Sequence, residues 1–173
     1  MQRRFGWLPG RAIDVVCNVA EFNRSNRQTT TCSGEITCYS NLYQWTLSGT
    51  AADGSLFETF LATLNGGDYY SPSVGQDVSA GVGTCLANHC DWRIPTVAEL
   101  QTIVELSASG CGSGSPCIDP AFGPTQAAFY WSSSSFGAAG LSAWWVYFPN
   151  GIAGLQPKMV PLNIYARAVR GGR

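Results

Sequence analysis

The chain has 173 residues, 45% of them hydrophobic, with a mean hydropathy close to zero, which is enough for one domain with a substantial core. Only 12% are charged and the net charge is -1, well below the roughly 25% charged content of an average soluble protein, so no basic footprint for nucleic acid is present. Gly, Ser, Thr, Asn and aromatic residues take the place of the missing charges, a balance suited to extracellular, loop-rich domains and poor for long solvated helices.

The opening MQRRFGWLPGRAID has basic residues without a following apolar region, so no signal peptide is visible, and no stretch approaches the roughly 18 apolar residues of a membrane span. Residues 1–43 are expected to form an N-terminal strand over Ile13–Val19 and a stapled loop, part of the same domain as the core at 44–173. In SLFETFLATLN, residues Leu56, Phe60, Leu61 and Leu64 recur at helical spacing, with Gly66 and Gly67 as a stop, which predicts a first helix over Ser55–Asn65. Gly66–Gly83 is rich in Gly, Ser and Tyr and is expected to be a long surface loop. The strongest local signal is PTVAELQTIVEL: Thr96 and Glu99 form a T-x-x-E capping box ahead of Leu100, Ile103 and Val104, which predicts a second helix starting at Thr96. Gly, Ser and Pro interrupt any regular element from Cys111 to Thr125, after which AFYWSSS, SAWWVYF and IYARAVR read as strands. Two helices followed by strands give an α+β fold, not an alternating parallel sheet.

Six of the seven cysteines fall into close pairs, Cys32 with Cys38, Cys85 with Cys90, and Cys111 with Cys117. The expectation is local disulfide staples and an oxidising, extracellular or cell-surface location. The rival is a zinc site from Cys85, His89, Cys90 and one of Cys111 or Cys117, although no repeated C-x-x-C pattern supports it. Cys17, beside Val15 and Val16, reads as a small buried apolar side chain.

Several motifs now stand in one order: LFETFLATLN, DWRIPTVAELQTIV, CIDPAFGPTQAAFYWSSSS, AWWVYF-x-NG and the closing YARAVRGG. Over residues 44–172 the chain resembles the family of the C-terminal domain of the Legionella collagen-like adhesin. The resemblance implies a C-type-lectin-like fold, two helices on small antiparallel sheets with long loops, related to formylglycine-generating enzymes and to the variable proteins of diversity-generating retroelements. Physical roles suit the motifs: Trp92 as a core anchor, Asp91 and Arg93 bracing the loop into helix two, and Pro95 directing the chain into the Thr96 cap. In AWWVYF a period of two places Trp144, Val146 and Phe148 inward and Trp145 and Tyr147 outward. Arg167 reads equally as a strand-end ion pair or as a binding residue.

Catalysis needs a nucleophile, acid or base with partners, and one His with eleven scattered carboxylates offers few. No G-x-S-x-G elbow accompanies His89, and no enzymatic activity and no cofactor are expected. Gln156-Pro157-Lys158 is the nearest approach to a calcium lectin loop but puts a cation where an acidic ligand is needed. The sulfated polysaccharides associated with the adhesin relative would call for a basic patch, which is not seen outside the N-terminus. What remains is the segment 136–164, where Ala143, Trp144, Val146, Phe148, Asn150, Gly151, Lys158 and Tyr165 resemble the family's framework. The candidate ligand-binding residues are Phe136, Leu141, Trp145, Tyr147, Ile152, Leu155, Gln156, Met159 and Leu162, unusually apolar for loops. One reading packs them on the core or a neighbouring subunit; the other makes them a recognition surface for a protein or glycan. The functions weighed are therefore an adhesion module, the diversified receptor of a diversity-generating retroelement, and a structural subunit of a fibre or phage particle, in which the chain is a homo-oligomer.

Overall fold

A computed structural model describes residues 13–16, 42–71, 76–79, 85–123, 125–160 and 164–171. The fold is small and α+β, with two helices and antiparallel sheets. The first strand, β1 (Ile13–Val16), pairs antiparallel with the last, β8 (Ala168–Gly171), and β8 also pairs with β4 (Trp92–Arg93). The N-terminal strand expected over Ile13–Val19 thus begins where anticipated, and its described part is bonded to the C-terminal strand.

The first helix, α1, runs as a π-helical Leu56–Leu61 continued by α-helical Ala62–Leu64. It buries Leu56, Phe60 and Leu64, while Leu61, the fourth residue of the predicted stripe, is only partly buried against the same core. Gly66 ends it with φ 71°, and the Gly67 N–H returns to Ala62 O at 2.9 Å, the left-handed stop that glycine adopts without a steric penalty.

Beyond it the structure departs from the expected loop. Residues Asp68–Ser71 (β2) and Gln76–Ser79 (β3) form an antiparallel hairpin. The Gly and Ser content of the segment masked the β-forming Tyr69, Tyr70 and Val78.

Helix α2 (Val97–Thr102) begins as predicted. Thr96 Oγ1 accepts from the Glu99 N–H (3.2 Å), and Glu99 Oε2 accepts from the Thr96 N–H (2.9 Å), so both halves of the capping box are made. Arg93 donates to both Glu99 oxygens, at 2.7 and 2.5 Å, which fixes the entering strand to the cap. Hydrogen bonding to Arg93 is the main reason that the Glu99 carboxyl is held down at about 2. Asp91 lies 3.8 Å from Arg170 on β8. Trp92 is buried between these braces, and its Nε1 donates to Leu86 O at 3.1 Å. The Asn65 side chain completes the join, accepting from the Trp92 N–H and donating to its carbonyl, both at 2.9 Å. No sequence signal pointed to that residue.

The third sheet is β5 (Phe129–Phe136), β6 (Ser142–Tyr147) and β7 (Ile152–Pro157), in that order. Strands β5 and β6 were expected; β7, IAGLQP, was not, because its Gly, Gln and Pro give no β signal. Its hairpin partner makes it a strand. Two cores flank this sheet. One gathers Tyr43, Trp45, Leu56, Phe60, Leu64, Trp92, Ile94, Trp131, Ala143, Ile164 and Ala168. The other gathers Leu100, Ile103, Ile118, Tyr130, Val146 and Phe148. Within the first, Trp45 Nε1 donates to Ser132 O and Trp131 Nε1 to Tyr43 O, each at 2.9 Å. Both indoles are therefore buried without an orphaned N–H.

Disulfides join Cys85 to Cys90 and Cys111 to Cys117, with Cα atoms 5.1 and 4.5 Å apart. Two of the three expected staples are thus in place, and the zinc alternative loses these four sulfurs as ligands. Cys17, Cys32 and Cys38 lie outside the described residues. The second staple shapes the loop beside the β6–β7 turn, where the Cys117 N–H donates to Phe148 O (2.7 Å) and Gly112 N–H to Pro149 O (3.0 Å).

Candidate functional site

Register decides which side chains of the third sheet share a face, since residues paired across antiparallel strands point the same way. Trp131 pairs with Trp145 and Trp145 with Gly154, while Phe129 pairs with Tyr147 and Tyr147 with Ile152. These residues, with Ala143 and Gln156, make one face. Tyr130, Val146 and Ala153 pair on the other face, as do Trp144 with Leu155 and Phe136 with Ser142 and Pro157.

The expectation that one face makes core and the other is free is corrected here. Each face is covered over part of its length. On the first, Trp131 and Ala143 are fully buried, and Trp145 packs partly buried against the same cluster. On the second, α2 brings Leu100 and Ile103 onto Tyr130, Val146 and Phe148. Trp144, expected as an inward anchor, is only half-buried and meets Phe136 edge-on at 6.0 Å. The simple two-period reading failed because both faces are partly covered, one by the Tyr43–Trp45 segment and the core it joins and the other by α2, so alternation alone no longer separates core from surface.

Two apolar regions are left open, at opposite ends and on opposite faces. At the turn end, Phe129 (41% exposed) and Ile152 (57%) flank Tyr147. The Phe129 ring contacts Trp145 edge-on at 4.7 Å and Tyr147 at 4.4 Å. At the far end, Phe136, Leu155 and the half-buried Trp144 stand on the second face, with exposed Leu141 and Met159 at the sheet's tip. The structure therefore divides the nine candidate residues. Trp145, Tyr147, Ile152 and Gln156 lie on one face, Phe136 and Leu155 on the other, Leu141 and Met159 at the tip, and Leu162 outside the described residues. Phe129 and Trp144 belong with these groups and were not among the candidates. Phe129 sat within a predicted strand, and only its pairing with Tyr147 reveals its place.

Trp145 owes its position to a glycine. A Cβ on Gly154 would lie 2.3 to 2.9 Å from the Trp145 ring, so the indole lies against bare backbone on the neighbouring strand. The turn joining β6 to β7 is equally constrained: Gly151 has φ 72°, and a Cβ there would meet Val104 Cγ1 at 2.5 Å. Asn150 Oδ1 accepts from the Ile152 N–H at 3.1 Å.

Charge is nearly missing from this region. Between Asp119 and Arg167 the sequence holds one charged residue, Lys158, and it is 2% exposed. Its Nζ lies 3.6 Å from the Trp45 ring centroid and donates to Thr50 O at 3.0 Å, while burial lowers its pKa. Lys158, the cation in the lectin-like tripeptide, is thus a plug beneath the surface. Arg167 is buried too, beside the contacting Tyr130 and Phe148 rings at 5.6 Å from each, with its fork on Thr125 Oγ1 and toward Phe122 O (3.5 Å). Among the described residues it makes no ion pair, and burial alone depresses its pKa. Its contacts among the described residues tie Phe122 and Thr125 to the C-terminal segment.

No curated protein and no solved structure matches the chain. The sequence pattern of the Lcl C-terminal domain family matches residues 31–170, a span that takes in α1, the capped α2 and the whole β5–β6–β7 sheet. By that match over most of its length, this chain belongs to the Lcl C-terminal domain family.

Proposed function

We propose that the domain is an extracellular or surface-displayed adhesion module with a C-type-lectin-like fold, acting by binding and not by catalysis. Its ligand, a protein or glycan, is recognised through uncharged aromatic and aliphatic groups of the third sheet. The observation that carries this reading is where the exposed apolar side chains stand. Of the nine large exposed apolar residues among the described ones, six (Phe129, Phe136, Leu141, Ile152, Leu155 and Met159) lie on this sheet or its connections. A surface so apolar and so poor in charge suits recognition by shape and burial rather than attraction of a polyanion. Family membership supports an adhesin-like role. Both disulfides fit an oxidising location, and among the described residues no helix is long and apolar enough to cross a membrane.

The test is a glycan and protein array probed with the purified domain, followed by alanine variants of each open region. Phe129→Ala and Ile152→Ala examine one, Phe136→Ala and Leu155→Ala the other, and Glu58→Ala, exposed on α1, is the control. Loss of binding by more than about 1 kcal/mol in one pair identifies the face, as truncation of a hot spot does. Unchanged affinity in all four would remove the sheet from the proposal and turn attention to the β2–β3 hairpin.

A second reading, the diversified receptor of a diversity-generating retroelement, is favoured by how burial sorts this segment. Framework residues Ala143, Val146, Phe148 and Lys158 are buried, whereas Leu141, Ile152, Leu155 and Met159 between them are exposed, so the second group can vary at little cost to the fold. This reading requires a near-copy of the coding segment for residues 129–170 beside a reverse transcriptase gene, differing at adenines. A structural subunit of a fibre or phage particle would instead bury the same residues against symmetry mates and give a large mass in solution.

A further inference from the structure

The four cysteines among the described residues are joined in pairs, so none of them offers a free thiol. Met159 supplies the remaining sulfur of these residues, and it is 63% exposed. Its position is fixed by its neighbour. Lys158 donates its backbone N–H to Leu141 O at 2.9 Å and sends its side chain under Trp45, which anchors the chain next to the methionine. The Met159 thioether lies instead over Gly49, with Sδ 3.2 Å from the point a Cβ would occupy there. Gly49 is buried beneath it. Met159 therefore sits at the sheet's tip, at the same end as Phe136 and Leu141, as an apolar and accessible sulfur.

We propose that Met159 is an oxidation site at which a peroxide-class oxidant weakens this apolar surface; the inference rests on the reading of that surface as the binding face. In the reaction the Sδ lone pair attacks one peroxide oxygen. A sulfur–oxygen bond forms as the oxygen–oxygen bond breaks, sulfur gives up two electrons, and the departing hydroxide takes the proton carried by the transferred oxygen and leaves as water. The product is a polar, chiral sulfoxide in place of a flexible apolar side chain. Its oxygen has no room on the side resting against Gly49, so the side chain must lift away or turn the oxygen outward. Either movement places a strong acceptor at the tip and removes apolar area from it.

The experiment treats the intact domain with graded hydrogen peroxide, maps the added oxygen by peptide mass, and measures retention on phenyl-agarose. Met159→Leu and Phe136→Ala are run beside the wild type. The expected result is one oxygen on the Met159 peptide at the rate of an unfolded methionine peptide, earlier elution of the oxidised wild type, and unchanged elution of treated Met159→Leu. A folded domain that resists oxidation at Met159, or an oxidised one that elutes unchanged while Phe136→Ala elutes earlier, overturns the inference and leaves the binding face standing. If Phe136→Ala also elutes unchanged, the tip is not part of an open apolar surface; the reading of the tip as a binding face then fails and the inference with it, while the Phe129–Ile152 region stands or falls by the ligand array.

Discussion

Replacing Glu99 by Gln isolates what its charge contributes, because glutamine keeps the shape and can still accept from the Thr96 N–H as a capping-box residue. The Glu99 carboxyl is lowered from 4.5 to about 2, chiefly by hydrogen bonding to Arg93, with the Thr96 N–H adding to it. At about 1.36 kcal/mol for each pH unit, that difference sets a ceiling of about 3.4 kcal/mol. Side-chain exposure of 40% at Arg93 against 16% at Glu99 means that solvent screens the pair, and a realistic loss for Glu99→Gln at pH 7 is roughly 1 to 2 kcal/mol. A depressed carboxyl stabilises the fold above its unfolded value, so the gap between wild type and variant should be full above about pH 5 and shrink as pH falls from 4.5 toward 2. Both proteins share the other lowered carboxylates, Asp53 and Glu105, so their titration cancels in the difference. Urea unfolding of both proteins at a series of pH values between 2 and 7 gives the measurement. A gap that stays constant across this range would mean that the loss is steric, and the Arg93–Glu99 pair would have no electrostatic role.

Thr96→Ala removes the other half of the cap and should cost about 1 kcal/mol in thermal or chemical unfolding while leaving the third sheet unaltered. Gly154→Ala forces a methyl group into the Trp145 ring and should destabilise by roughly 1 to 3 kcal/mol, as overpacking does; a wild-type melting temperature would show that the indole moves freely. Trp131→Ala, at a fully buried position whose Nε1 is bonded to Tyr43 O, should cost on the order of 3 to 5 kcal/mol or prevent folding. Phe136→Ala, at 53% exposure, should change stability by less than about 0.5 kcal/mol, which a melt of the two variants side by side will distinguish.

What the sequence determined by itself was local. The capping box at Thr96 and Glu99, the Leu56–Phe60–Leu64 stripe with its glycine stop, and the Cys85–Cys90 and Cys111–Cys117 staples all depend on residues a few positions apart, and short-range chemistry fixes them. Family membership was legible for a different reason, because DWRIPT, YWSS and YARAVR are separated motifs in a fixed order. Tertiary structure alone decided what depends on distant partners. Strand β7 has no β-forming composition and exists because β6 offers it a ladder, and Asn65 matters only because Trp92 lies beside it. The candidate surface follows the same rule. Alternation along AWWVYF correctly separated two faces, but which residues on each are covered was set by the Tyr43–Trp45 segment with its core on one side and α2 on the other. Burial of Trp131 and exposure of Phe129 are therefore properties of packing, since two aromatic residues on one strand and one face differ only in what the rest of the chain lays over them.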